Sequence, residues 1–366
     1  MNYKPKMRKK VIVAEMLYPE GHRALNKKYI ELLSEIADVT IIDDGQYFAT
    51  MGLPLDIKII KTKRRIPSAE KFLKIKKYIP FLKFEPIEMI AHFMNLISIR
   101  LVLRGIPFDK IILMSSRLDA LSLSIPFFPQ NKIAVFHHYE IDRLLERKAD
   151  QFFFKRSYNK YDHLFLAEFI RDGLIKYYPI KAINCHIVYQ PLIDGQTLDT
   201  VNIDQRNRTI IGLGQTCDRS LLDKLIQIDK EADVVPANKI LLRDKKTEYL
   251  GKNLEVIKRY LTRDEFNGFL NNYAACVLMY PSSFNLRYSG ILDDALSHGM
   301  SIYGNDMPVV RYFHEKYPKS CHIFYSIEEL HEIACQGVLS ADRGEIENFI
   351  NSHSDDNIKM QLMDLI

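Results

Sequence analysis

No stretch of this chain is both apolar and long enough to span a bilayer. The longest candidate, residues 89–103, is interrupted by His92, Asn95 and Arg100, whereas a membrane-crossing helix needs roughly 20 uninterrupted apolar residues. The apolar run after the basic start covers only residues 11–14, too short for the core of a signal peptide, so none is expected. Cysteine is scarce and scattered: Cys185, Cys217, Cys276, Cys321 and Cys335 form no C-x-x-C pair. That excludes a zinc knuckle and a disulfide framework, and thiols in settings such as Ala275-Cys276-Val277 suit a reducing cytosol. The acidic pairs Asp43-Asp44 and Asp293-Asp294 are adjacent rather than spaced as Asp-x-Asp, and no His/Cys cluster has ligand spacing. No essential metal is therefore expected. Helix-turn-helix, zinc-finger and RNP signatures are missing, which argues against a nucleic-acid partner. There is no low-complexity segment and no short-period repeat.

What is present is the composition of a folded protein: 366 residues, 47% hydrophobic and 27% charged, enough for two cores rather than one. The net charge of +5 conceals an asymmetry. Residues 1–190 carry 32 Lys+Arg against 20 Asp+Glu, a net +12, while residues 191–366 carry 19 against 26, a net −7. A basic first half facing an acidic second half implies that the first half meets something anionic.

Short β-branched runs alternate with helical patterns from end to end. Residues 10–15 (KVIVAE) read as a strand, and residues 22–36 as a helix with Leu25, Tyr29, Leu32, Leu33 and Ile36 on one face. Further strands are expected at 39–42, 57–60, 110–114, 132–136, 163–166 and 185–189. The pattern restarts at 209–213 and continues with strands at 239–242, 254–257, 276–279 and 300–303. Thr262 with Glu265 three residues on is a capping-box spacing that predicts a helix start. Alternation of this kind means parallel sheets covered on both faces, and two series imply two Rossmann-like domains. The expected division is 1–190 for the first domain, 191–207 for a linker, 208–342 for the second domain and 343–366 for terminal helices.

Residues 280–299 (YPSSFNLRYSGILDDALSHG) concentrate the chemistry. A strand ends in Tyr280-Pro281-Ser282-Ser283, a basic loop with Arg287 follows, and a helix opens at Ser289-Gly290. A helix start offers free N–H groups and partial positive charge to an anion, and arginine adds a two-pronged donor. Asp294, one turn in, could accept hydrogen bonds from ribose hydroxyls while phosphates sit at the helix start. An ordinary strand–helix unit, with acids favouring the helix N-terminus, explains the same residues.

This stretch resembles the donor-binding signature of retaining glycosyltransferase family 4, of the GT-B fold. Pro281-Ser282 and Asp294-Ala295-Leu296-Ser297-His298-Gly299 match it, with Asp294 at the position the family uses to hold ribose. Asn285 or Leu286 stands where the family has its first Glu, and Arg287-x-Ser289-Gly290 resembles a variant subgroup whose loop grips phosphate. The resemblance implies an α/β GT-B fold, two Rossmann-like domains with parallel sheets facing a central cleft. It implies a metal-independent glycosyltransferase of hexosyltransferase type, using a UDP- or GDP-linked sugar as donor substrate, with no other cofactor. Whether the anomeric configuration is retained or inverted stays open.

The same resemblance suggests roles elsewhere. Gly214, after the strand at 209–213, would let phosphate approach, with Arg219 and Lys224 as the basic pair and Arg243 as a lesser candidate. His137 or His138, following the strand at 132–136, would contact the transferring sugar. Strand alternation lets only one of them point inward. Glu15, Glu20, Gly21 and His22 would line the acceptor side, a carboxylate there serving as base in an inverting enzyme. Residues 57–83 hold ten basic side chains and one acid, interleaved with aromatic and aliphatic residues. The stretch 57–84 is therefore expected on an anionic membrane surface, which would suit a lipid-linked saccharide acceptor. Together these point to surface polysaccharide assembly in a bacterium, in the cytoplasm and peripheral on the inner face of the cell membrane. The alternatives are a nucleotide-sugar 2-epimerase of the same fold and a catalytically degenerate binding protein.

Overall fold

The computed structural model describes residues 8–15, 22–44, 47–63, 65, 84–129, 132–138, 140–193, 206–214, 217–233 and 236–366. Glu20 and Gly21, most of the basic stretch 57–84 and residues 194–205 of the expected linker lie outside them. The chain divides into two compact units, Met1–Pro191 with Asp355–Ile366, and Leu192–Ser354.

In the first unit the strands are β1 (Lys10–Glu15), β2 (Asp38–Asp43), β3 (Lys58–Lys61), β4 (Lys110–Ser115), β5 (Ile133–Phe136), β6 (Asp162–Phe165) and β7 (Cys185–Ile187). They pair in parallel in the order β3-β2-β1-β4-β5-β6-β7. β5 is buried at every position, as a parallel strand covered on both faces should be. The order reverses between β1 and β4, so the carboxyl ends of those strands mark the switch point where such sheets take ligands.

The second unit repeats the plan with β8 (Asn207–Gly212), β9 (Ile240–Arg243), β10 (Tyr249–Leu250), β11 (Leu254–Ile257), β12 (Tyr273–Leu278), β13 (Ser301–Asn305) and β14 (Cys321–Phe324). Their order is β10-β11-β9-β8-β12-β13-β14, parallel except for the β10–β11 pair. Here the switch point lies between β8 and β12. Ile210, Leu242, Val277, Leu225 and Leu330 are among the residues of one core cluster between sheet and helices.

The tail forms two helices, one in each unit. Helix Arg343–Ser352 stays with the second unit, whereas Asp355–Leu365 packs on helix Arg23–Ile36 of the first. The last helix buries Ile358, Leu362 and Leu365, and polar contacts add to this: Lys28 meets Asp355 at 2.6 Å, Lys359 meets Glu35 at 2.9 Å, and Gln361 Oε1 accepts from Tyr189 N at 2.9 Å.

Candidate functional site

The sheet end of the second unit is built from two loops tied together. Asp218, after β8, donates its backbone N–H to Met279 O at 2.7 Å, joining the loop to the end of β12. Its carboxylate caps helix Arg219–Glu231 by accepting from Ser220 N and Leu221 N at 2.8 and 3.1 Å, which lowers its pKa. A Cβ at Gly212 would come within 2.5 Å of the Leu242 side chain, which would have to shift to admit it. After β12, Tyr280 exchanges two backbone hydrogen bonds with the Asn305 side chain, at 2.7 and 2.8 Å. Its ring stacks on Phe284 at 4.3 Å and its hydroxyl bonds to the Ser289 hydroxyl. The loop carrying Arg287 is thus pinned at both ends before helix Gly290–Ser297 begins.

That helix opens without a side-chain cap, because the Ser289 hydroxyl is engaged with Tyr280. Leu292 N donates to Ser289 O at 3.0 Å, which leaves the N–H groups of Gly290 and Ile291 to the space in front of them. A cavity of about 440 Å³ lies there, lined by Gly214, Arg243, Leu261, Thr262, Arg263, Phe266, Gly290, Ile291 and Asp294 among others. The helix closes on Gly299 at φ 73°, with Gly299 N donating to Leu296 O at 2.8 Å and Met300 N to Ala295 O at 3.0 Å. The glycine ending the sequence motif is therefore a helix terminator.

The two acids of this helix have separate fates. Asp294 borders the cavity, as the resemblance implies. Asp293 is buried, accepts from the Tyr288 hydroxyl at 2.5 Å, and leaves Oδ2 without a partner. Burial pushes its pKa well above the carboxylate range, so it sits there as a neutral acid.

Of the expected positive charges, the lesser candidate Arg243 borders the cavity and the pair Arg219 and Lys224 does not. Arg219 pairs with Asp223 at 3.0 Å and Asp244 at 3.5 Å, and bonds Thr247; Lys224 pairs with Glu328 at 2.7 Å. Both are engaged with surface carboxylates and neither borders the cavity. Arg243, from the end of β9, and Arg263, from the first turn of helix Arg263–Asn272, do border it. Arg243 is oriented by donating to Arg259 O at 3.0 Å and lying over the Tyr260 ring. Arg263 follows Thr262, whose capping box with Glu265 forms as its spacing predicts. Arg263 and Phe266 escaped the sequence reading, although a capped helix start after a strand was the available signal. Arg287 lies over the Phe284 ring at 5.6 Å.

The sheet end of the first unit is filled by polar side chains. Glu15, at the end of β1, is buried; one oxygen accepts from Ser115 and the other from Asn26 at 3.4 Å. Each oxygen thus has one donor, which holds Glu15 in place at the end of β1. His22 adopts a left-handed conformation at φ 58° and stacks on His138 at 4.7 Å.

His137 and His138 point to opposite sides and differ in burial. His137 has no exposed surface: its Nε2 meets His163 Nδ1 at 2.7 Å, and the ring stacks on His163 and Phe165. It cannot touch a sugar from there. His138 is half-buried, with Nε2 donating to Met114 O at 2.9 Å. Loss of hydration and then the neighbouring His22 lower its pKa.

The buried chain carries a proton argument. His163 Nε2 faces the carbonyl of Tyr158 at 2.6 Å and must donate to it. Burial lowers the pKa of both His163 and His137 to about 3, so each ring holds one proton. His163 Nδ1 is then an acceptor, His137 Nε2 the donor, and His137 Nδ1 a lone pair. That lone pair faces Glu140 Oε1 at 3.4 Å, and Glu140 is buried. Two acceptors would oppose each other unless Glu140 carries a proton, and burial raises its pKa in that direction. The protonated oxygen also accepts from His138 N at 3.0 Å, holding the His138 backbone.

Among the described residues, no group of three or more His, Cys, Asp or Glu side chains could hold a metal, and no helix is long and apolar enough to cross a membrane.

No family model matches the chain, and no curated protein matches it by sequence. Solved structures share its fold. A glycosyltransferase from Rickettsia africae is 11% identical with a TM-score of 0.63, covering 97% of each chain. WaaG, a glycosyltransferase involved in lipopolysaccharide biosynthesis, is 10% identical at TM-score 0.58, covering 97% of this chain and 98% of the other. A UDP-N-acetylglucosamine 2-epimerase from Rickettsia bellii is 13% identical at TM-score 0.55, covering 98% and 96%. The chain has the two-domain α/β architecture of the GT-B fold, as residues 280–299 led one to expect.

Proposed function

We propose that the chain is a glycosyltransferase. It would take a UDP- or GDP-linked sugar in the second unit and transfer the sugar to a saccharide or lipid-linked saccharide. The observation that carries this reading is the cavity at the β8/β12 switch point, where the uncapped start of helix Gly290–Ser297, Arg243, Arg263 and Asp294 converge. Helix N–H groups and guanidinium groups suit a diphosphate, a carboxylate one turn away suits ribose hydroxyls, and Phe266 and Leu261 supply apolar wall for a base. Bond cleavage leaves negative charge on the diphosphate. Fixed donors already aimed there stabilise it without reorganisation, so no metal is needed in this reading. Arg287 reaches the phosphates when donor binds, and His138 is the histidine left to contact a sugar hydroxyl. The setting we infer is cell-surface polysaccharide synthesis in a bacterial cytoplasm, with the basic stretch 57–84 toward an anionic membrane.

Calorimetric titration with UDP, GDP and CMP tests the reading. One of them should bind in the micromolar range and the others more weakly; binding of none refutes the donor site. Arg287→Ala should leave the fold intact and lower transfer by roughly a hundredfold or more. Unchanged turnover would remove Arg287 from the reaction. The epimerase alternative shares the fold. It is separated by product: an epimerase converts the donor with no acceptor present.

A further inference from the structure

Helix Phe84–Val102 is apolar on two opposite faces. One face, with Leu96 and Ile99, is buried in the unit. At 100° per residue, Ile90, Met94, Ile97 and Leu101 fall within about 60° of one another on the other side. Ile90 is 57% and Leu101 56% exposed, and Met94 is exposed as well. Phe127, 54% exposed, joins this stripe through its ring contact with Phe93. A second, exposed apolar row on a helix whose opposite face is already buried calls for a partner.

The charge beside the stripe says which partner. The acids of the helix are neutralised in place: Glu85 by Arg147 at 3.0 Å and Glu88 by Arg117 at 2.7 Å. Arg100 and the exposed Arg104 flank its C-terminal end, and Arg65 bonds the Ser98 hydroxyl at 2.9 Å along one side. In the sequence the Lys-rich stretch runs directly into this helix. An apolar row edged by arginines matches a surface with anionic headgroups above an acyl layer.

We propose that helix Phe84–Val102 lies in the interface of an anionic lipid membrane, with Ile90, Met94, Leu101 and Phe127 in the acyl boundary and Arg65, Arg100 and Arg104 at the headgroups. The helix lies on the membrane rather than crossing it. This rests on the reading of a lipid-linked acceptor for its purpose, but its test is independent of donor binding.

The full chain is co-sedimented with vesicles of phosphatidylcholine alone or equimolar with phosphatidylglycerol. Binding should be confined to the anionic vesicles. Ile90→Ser with Leu101→Ser should weaken it roughly tenfold or more, and Arg104→Gln about fivefold at low salt. Both variants should keep the circular dichroism and nucleotide titration of the parent. Because the chain has no tryptophan, Met94→Trp supplies a single indole. Its emission should shift to the blue on adding anionic vesicles and be quenched by acyl-brominated lipid; this readout stands even if the serine variants fail to fold. Failure of the parent to bind vesicles, or unchanged binding by the folded serine variant, overturns the proposal. Emission already blue without vesicles also overturns it, since the stripe is then covered by the chain itself or by a second copy. Loss of nucleotide binding in the parent would strike the donor site and leave this result standing.

Discussion

The two units share one plan and use it in opposite ways. Each has a seven-stranded sheet with a switch point at its strand ends. In the second unit that point is open: glycines at 214 and 290 keep side chains away, and arginines stand at the rim. In the first unit, among the described residues, the ends of β1 and β4 carry a bonded polar group, Glu15–Ser115–Asn26, and beside them at β5 and β6 lies a second, His163–His137–Glu140. A common topology therefore fixes where a ligand can be met but not whether the place is vacant. Side-chain size and proton state settle that.

The comparison can be broken where the packing is tightest. Glu140→Ala leaves the His137 lone pair and the His138 N–H without their partner and should cost roughly 2–4 kcal/mol in denaturant unfolding. Glu140→Gln, neutral and of similar shape, should cost under about 1.5 kcal/mol. The sign of the pH effect follows from the raised pKa. The folded protein keeps the Glu140 proton at pH values where the unfolded chain has lost it, so this contribution is present below the ordinary value of 4.5 and lost as pH rises through the folded pKa. Glu140→Gln should remove that decline; an equal decline in the variant would show Glu140 to be ionised. His137 and His163 act in the other direction. Their pKa values near 3 mean stability is full above about 6.5 and falls as pH drops toward 3.

The open site is sharpened by its arginines. Arg243→Ala and Arg263→Ala should each weaken nucleoside-diphosphate binding about tenfold in calorimetry, the loss of one charge-assisted hydrogen bond. Arg219→Ala and Lys224→Ala should change it little, since both are paired with surface acids. Equal losses from all four would mean that net charge, not geometry, governs binding. The smallest effect concerns the frame of the cavity. Thr262→Ala removes the helix cap behind Arg263 and should cost about 1 kcal/mol of stability. No loss would show that Glu265 alone secures that helix start.

Much of this was legible from local spacing. The alternation of strands and helices, the Thr262–Glu265 capping box and the helix from Gly290 to the Gly299 turn all depend on residues within a turn or two of one another. The resemblance also placed Asp294 at the cavity, but the surroundings of other polar side chains were not legible. Asp293, next to it in the chain, is buried against Tyr288. His137 and His138 are likewise indistinguishable until β5 is placed beside β6, which turns one histidine onto His163 and leaves the other on Met114. Arg243 borders the cavity, and Arg219 and Lys224 do not, because strand order, not chain order, brings the ends of β8, β9 and β12 together.

By itself the sequence determined the number of units, the parallel sheets and the chemistry concentrated in residues 280–299. Helix caps, turn glycines and apolar periodicity act over a few residues and need no tertiary context. Only the tertiary structure decided which charges face the cavity, which acid stays neutral and which histidine is available. Those outcomes depend on burial and on partners far away in the chain, and a side chain's proton state follows from both.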